Sequence, residues 1–107
     1  MMHDADKVRE LNDIARHSFQ GCRVMITRGV AALDSVDAVL AAVRNYGDFT
    51  SNNDPYGEHD FGSFVVAGEL LFWKFDYYDS DMQMASLDAA DDTITVRVLT
   101  IMLAEEY

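Results

Sequence analysis

The stretch NDPYGEHDFGSFVVAGELLFWKFDYY, residues 53–78, decides the fold. Residues 64–67 and 70–78 are rich in aromatic and aliphatic side chains, and Gly68 and Glu69 lie between them, which predicts a β-hairpin. Successive side chains of a strand point to opposite faces. The predicted core face of the second strand carries Leu71, Trp73, Phe75 and Tyr77, and its other face carries Lys74 and Asp76 with the partly covered Leu70, Phe72 and Tyr78.

The rest of the chain supplies two helices and two more strands. Apolar residues at helical spacing predict a first helix at about residues 5–18. Ser35 is a good N-cap for a second helix, which ends before Gly47. Residues 22–27 and 93–104 alternate in the manner of strands, and the β-branched density of the latter favours a central position.

These elements predict an α+β fold in a single domain, residues 1–107. Two helices pack on one face of a four-stranded, mainly antiparallel sheet, in the chain order α-β-α-β-β-β. Arg28 and Gly29 are expected to turn the chain, and the last strand is expected to pair antiparallel with the strand of Trp73.

The charge of the chain is concentrated in its second half. Residues 1–47 contain six acidic and six basic residues, whereas residues 48–107 contain thirteen acidic residues against Lys74 and Arg97, so they carry the whole net charge of −11. Direct binding to phosphates requires a basic track. The sequence therefore argues against a nucleic-acid ligand and favours a protein partner.

The cysteine content, the N-terminus and the distribution of apolar residues indicate the cellular compartment. Cys22 is the single cysteine of the chain, which is typical of a reducing environment. The charged N-terminus does not resemble a secretory signal, and the sequence has no run of about 20 apolar residues for a membrane helix. We therefore expect a cytoplasmic protein that does not bind membranes.

A polar segment before the hairpin contains candidate metal ligands. Glu58, His59 and Asp60 are consecutive, and Asp54 and Asp76 could complete a ligand set. Consecutive residues of an extended chain point to opposite sides, so the spacing is unfavourable and we predict neither a bound metal nor a cofactor. The alternative interpretation is that the carboxylates bond to turn N–H groups and that His59 bonds to a backbone carbonyl.

An acid–base site centred on His59 is a second alternative. Asp60 or Asp76 could orient its ring, and Lys74 could pair with Asp76. No nucleophile is evident nearby, because Ser63 lacks the G-x-S-x-G pattern. Under this alternative the protein is a small enzyme or a metal-dependent regulator with its site in the Glu58–Asp60 segment, but we predict no catalytic residue.

The second long connection is more acidic still and contains no base. Its carboxylates form an anionic rim and, together with those of the polar segment, are the predicted partner-binding set: Asp54, Glu58, Asp60, Asp79, Asp81, Asp88, Asp91 and Asp92. Long connections with this composition are typical of partner-facing loops. Loop position and charge therefore indicate the same surface.

Three motifs, NDPYGEHDFG from Asn53, WKFDYYD from Trp73 and RVLTIMLAEEY from Arg97, resemble a family of short bacterial proteins classified as a domain of unknown function. The resemblance spans residues 10–107. The family supplies no catalytic residue or cofactor. Its members resemble genes found on plasmids and prophages as well as on chromosomes, which implies a mobile-element accessory.

Charge and resemblance together predict a small acidic binding protein. The carboxylates would imitate the phosphates of a nucleic acid and occupy the channel of a nucleic-acid-binding effector, as an anti-CRISPR or anti-restriction inhibitor does. Acidity that serves only solubility is the simpler alternative.

Overall fold

The computed structural model describes residues 4–107 and contains three helices and four strands. Residues 1–3, where the sequence was judged to lack a secretory signal, lie outside the described residues. The helices are α1 (Asp4–Ser18), α2 (Arg28–Ala31) and α3 (Val36–Arg44), the strands are β1 (Arg23–Ile26), β2 (Phe61–Val66), β3 (Glu69–Tyr78) and β4 (Val96–Leu103), and a 3₁₀ turn (Ala104–Glu106) follows. None of these helices is long and apolar enough to cross a membrane.

The four strands form one sheet in the order β1-β4-β3-β2. Antiparallel pairing joins β2 to β3 and β3 to β4, with Trp73 opposite Ile101, whereas β1 and β4 are parallel. The α+β class, the mainly antiparallel sheet and the predicted strand pairing are confirmed. The parallel pair was not predicted. Parallel strands require a long crossover connection, and here the chain passes through α2, α3 and the β2–β3 hairpin before β4 pairs with β1.

The helices cover one face of the sheet, and this face holds the core. The buried apolar cluster joins residues of all three helices to those of β3 and β4: Ala15, Val30, Val39, Val43, Leu71, Trp73, Phe75, Leu99 and Ile101. The predicted core face of β3 is therefore confirmed. Gly62 lies where a Cβ would come within 2.3 Å of the Trp73 indole nitrogen, so the absence of a side chain there lets the indole pack against β2.

The other face, which we call the open face, carries no helix among residues 4–107. Phe72 and Tyr78 are half-buried there as expected, but Leu70 is 49% exposed, because it lies near the hairpin turn. A cavity of about 480 Å³ lies on this face, lined in part by Met25, Met82 and Met102. Strand side chains, Met82 from the connection before β4 and the C-terminal Glu106 and Tyr107 thus cover the open face only in part.

The segment after β1 differs from the sequence prediction. Arg28 and Gly29 do not form a simple turn but begin α2, because the Thr27 side chain accepts a hydrogen bond from the Val30 N–H and caps the helix. The Glu106 carboxylate accepts hydrogen bonds from the Thr27 hydroxyl and from the Gly29 N–H. The C-terminal turn therefore fastens the start of α2 to the end of β4.

Candidate functional site

The polar loop, residues 45–60, is fastened to α1 by Asn12. The side chain of Asn12 is fully buried, and its amide nitrogen donates to the Glu58 carbonyl at 3.0 Å and to the Tyr77 hydroxyl at 2.8 Å. A buried amide that satisfies both a loop carbonyl and a strand side chain fixes the distance between them. The loop is thereby held over the C-terminal end of β3.

A buried arginine, Arg16, completes this attachment one helical turn later. Its Nη1 donates to the carbonyls of Val43 at 3.0 Å and Tyr46 at 2.8 Å, and its guanidinium lies 5.1 Å from the Trp73 ring centroid. Burial lowers the pKa of Arg16, and the hydrogen bond and charge of Asp13 oppose this shift. The end of α3 is therefore joined to α1 through charge-assisted hydrogen bonds.

His59 is a clamp between the polar loop and α1. Its Nδ1 lies 2.8 Å from an Asp13 carboxylate oxygen, its Nε2 lies 3.4 Å from Asp54, and its backbone N–H donates to Asp54 at 3.1 Å. The imidazole stacks on Phe49 with 3.6 Å between centroids. The φ angle of His59 is 52°, a left-handed value that turns the chain sharply enough for ring and backbone to meet the same carboxylate.

The partners of His59 differ from those expected from sequence. Asp60 and Asp76 do not bond to its ring, because the left-handed turn points the imidazole toward α1, and the ring faces carboxylates instead of a backbone carbonyl. Asp76 pairs with Lys74 at 2.7 Å on the open face, as predicted for these two. Within residues 4–107, no three histidine, cysteine or acidic side chains converge in a way that could hold a metal.

Burial perturbs three acidic groups around the polar loop. It raises the pKa of Glu58, with further contributions from the charges of Asp60 and Asp54, and it raises the pKa of Asp60. Burial also raises the pKa of Tyr77 to about 12. The carboxylates of this loop therefore ionise at an electrostatic cost that a positively charged neighbour would reduce.

The acidic loop, residues 79–95, is ordered mainly by its own turns. Three of its carboxylates accept from nearby backbone N–H groups: Asp79 from Gln83 and Met84, Asp88 from Ala90, and Asp91 from Thr93. These bonds agree with the alternative interpretation that the carboxylates accept from turn N–H groups. Asp54 does the same, because it accepts from the His59 N–H. Each bond uses one carboxylate oxygen, so the charge itself is kept.

One buried cation, Arg97, fastens the acidic loop to the core. Its guanidinium donates to the Ala89 carbonyl and to the Asp92 carboxylate, and its Nε donates to the Asn12 side-chain oxygen at 2.7 Å. Asn12 therefore connects the two loops. Its amide nitrogen bonds directly to the polar loop, and its side-chain oxygen is linked to the acidic loop through Arg97.

The predicted partner-binding residues fall into two groups. Asp54, Glu58 and Asp60 lie half-buried in the polar loop, whereas the acidic loop holds the rest, of which Asp81, Asp88 and Asp92 are exposed. Asn12, Arg16 and Arg97, which organise both loops, were not identified from sequence. A signal existed for two of them, because Asn12 and Arg16 share a helical face with Val8 and Ala15.

Residues 26–106 match the model of a protein family described as a protein of unknown function (DUF3768). The chain belongs to this family. The resemblance inferred from the sequence motifs is thereby confirmed, and the matched region contains both loops, α2, α3 and all strands except most of β1. No curated protein and no solved structure matches the chain significantly.

Proposed function

We propose that this protein is a small binding protein whose anionic half engages the positively charged surface of a nucleic-acid-binding partner. The carboxylates of the acidic loop would stand in for phosphates, as in an anti-CRISPR or anti-restriction inhibitor encoded by a mobile element. We place the encounter in the cytoplasm. The observation that carries the proposal is the fixed form of the acidic loop.

The acidic loop is ordered before any partner arrives. The backbone N–H of Asp79 donates to the Met84 carbonyl at 2.8 Å, and Tyr78 forms a β-bridge with Ala85. Farther along, the Ser86 hydroxyl lies 2.6 Å from that of Thr95. A surface that is already ordered loses less conformational entropy when it binds, so its charges contribute more of their interaction to affinity.

The two bases of the anionic half are already engaged within the molecule. Lys74 pairs with Asp76, and Arg97 pairs with Asp92. The other carboxylates of residues 48–107 therefore have no lysine or arginine from the same half of the chain to neutralise them. Burial raises the pKa values of Glu58 and Asp60, and repulsion from neighbouring carboxylates such as Asp54 adds to both shifts, so a basic partner would stabilise these half-buried charges.

The size of the charge is sufficient for phosphate mimicry. Duplex DNA carries one charge per about 1.7 Å, so the net charge of −11 corresponds to about 19 Å of duplex. The principal extents of the molecule are 42, 32 and 23 Å. The protein can therefore present a charge density similar to DNA within its own width.

The contacts of His59 account for this residue as a clamp between the polar loop and α1. Both ring nitrogens face carboxylates, and the ring is stacked on Phe49. The arrangement thus supplies a structural role for the residue around which an enzyme or metal-dependent regulator would be built. The acidic surface is the better-supported hypothesis.

The test is affinity capture from a bacterial extract with two matched variants. In the first, Asp81, Asp88 and Asp91 are changed to Asn, which removes three charges and keeps the side-chain acceptor that Asp91 uses for Thr93. In the second, the exposed acids of the neutral half are neutralised by Glu10→Gln, Asp34→Asn and Asp37→Asn. Both variants should unfold at nearly the wild-type temperature.

We expect the wild type and the second variant to retain a nucleic-acid-binding protein, and the acidic-loop variant to bind it at least about tenfold more weakly. Binding should also weaken as salt rises, and added DNA should compete. A partner held equally by all three proteins, insensitive to salt and to DNA, would contradict the proposal.

A further inference from the structure

β1 is a sheet edge whose outward backbone groups are unpaired within residues 4–107. The Thr27 N–H bonds to the Ile101 carbonyl of β4 at 3.1 Å. In a parallel pair each residue directs its N–H and C=O to the same side, and consecutive residues alternate. Val24 and Ile26 therefore direct two donors and two acceptors away from β4.

Three of the four side chains of β1 are apolar and exposed, and Arg23 at its N-terminal end is the one charged residue of the strand. The exposed fractions of Val24, Met25 and Ile26 are 36%, 56% and 39%. Natural edge strands are commonly protected by charges, proline or covering segments. The opposite edge of the sheet is covered at one position, because the Tyr46 hydroxyl lies against the outward N–H of Ser63 in β2.

We propose that β1 is a self-association site, where a second copy of this chain adds its own β1 antiparallel and joins two sheets into one. A two-fold axis through Met25 would place Val24 of each copy opposite Ile26 of the other. This register uses all four outward-pointing backbone groups of each strand, as the narrow pairs of an antiparallel ladder require.

The same register makes the side-chain contacts complementary. Val24 meets Ile26 on the helix-covered face, and Met25 meets its symmetry mate on the open face, where it also lines the 480 Å³ cavity. Arg23 falls opposite Thr27, so no like charges are directly paired. Shifting the register by two residues in either direction leaves outward groups unmatched and places an arginine or Cys22 opposite an apolar residue.

The distribution of charge also favours a second copy here. β1 lies in residues 1–47, which have equal numbers of acidic and basic residues. The N-terminal end of β1 lies at the same end of the sheet as the acidic loop, because β1 and β4 are parallel and that loop precedes β4. The antiparallel arrangement therefore places the two acidic loops at opposite ends of the joined sheet, which limits their repulsion.

The first test compares the same substitution at the two edges. Val24→Pro removes an N–H that points away from β4 and leaves the β1–β4 bonds intact. Val65→Pro does the same at β2, because Ser63 and Val65 both direct their N–H groups away from β3. Both variants should retain wild-type circular dichroism, since proline is tolerated where the N–H faces solvent.

Sedimentation equilibrium should show the wild type and Val65→Pro as dimers. Val24→Pro should raise the dimer dissociation constant at least about tenfold, since the two-fold axis doubles the lost hydrogen bond. A wild type that is monomeric at about 1 mM would overturn the proposal, and so would a dimer weakened by Val65→Pro but not by Val24→Pro.

Cross-linking tests the register without proline. In a Cys22→Ser background, Met25→Cys should form a disulfide-linked dimer under mild oxidation, because non-hydrogen-bonded antiparallel pairs bring their Cβ atoms close together. Val65→Cys in the same background is the control. Val65 is 65% exposed, so cross-linking by random collision would favour the control, and preferential cross-linking of the control would contradict the register.

Discussion

The polar loop and the acidic loop have similar lengths and both carry several carboxylates, yet they are held in different ways. The polar loop depends on side chains of α1, with Asn12, Arg16 and Asp13 reaching its carbonyls and its histidine. The acidic loop depends on its own turns and on Arg97. Acidic composition alone therefore does not distinguish a structural loop from one that presents its charges to solvent.

Asn12→Ala should have the largest effect, because it disturbs both loops. The substitution leaves the Glu58 carbonyl, the Tyr77 hydroxyl and the Arg97 Nε without their buried partner, and we expect a loss of about 2 to 4 kcal/mol in the free energy of unfolding. Chemical denaturation measures this loss. Asn45→Ala is the control, because Asn45 is exposed at the end of α3. A loss of similar size in the control would show that Asn12 is not a special junction.

Tyr77, whose hydroxyl accepts a hydrogen bond from Asn12 beside the polar loop, makes the stability of the protein depend on pH. Its folded-state pKa of about 12 lies above the usual value of 10, so the folded state holds a proton that the unfolded state releases. The contribution to stability is complete below pH 10 and is lost as the pH rises through about 12. We expect a loss of about 2 to 3 kcal/mol over this window.

The comparison of two phenylalanine variants isolates this contribution. As the pH rises from 10 to 12, the free energy of unfolding of Tyr77→Phe should fall less than that of the wild type. Tyr56→Phe should behave like the wild type, because Tyr56 is highly exposed in the polar loop. Urea unfolding at several pH values between 9 and 12 is the measurement. Parallel curves for both variants and the wild type would remove Tyr77 as the cause.

His59→Ala should have the smallest effect and should be confined to the polar loop. We expect a loss of about 1 kcal/mol, because the partly exposed ring loses its contacts with Asp13, Asp54 and Phe49. Amide hydrogen exchange should accelerate in residues 45–60 and not in residues 79–95. Asp81→Asn should change neither stability nor exchange, and equal acceleration of both loops in His59→Ala would show that they open as one unit.

Much of the fold could be predicted from local patterns. Alternation along residues 70–78 gave the core face of β3, and the density of β-branched residues placed β4 in the centre of the sheet. The parallel pairing of β1 could not be predicted, because it depends on the path of a connection of about seventy residues between β1 and β4. The one-turn α2 was missed because Thr27 was assigned to the strand instead of to a cap.

The candidate site was located by composition, but its organisation was not. Turn residues and carboxylates marked both loops, whereas the partners of His59 and Glu58 lie 46 residues away on α1. On α1 the apolar Ile14 is exposed and the charged Arg16 is buried, the reverse of what residue polarity alone predicts. The loop carbonyls and the aromatic rings of Trp73 and Phe49 compensate the buried guanidinium, and this compensation has no local sequence signal.

Asn12, which connects both loops, lies on α1 and therefore outside the region that matches the family model. The matched family region starts at residue 26, after α1 and most of β1. A chain trimmed to residues 26–106 would lose the Asn12 junction, the Arg16 cation and the parallel partner of β4. The recognisable family boundary therefore separates α1 from the loops that its side chains hold, and expression of the region as an independent fragment should begin at α1.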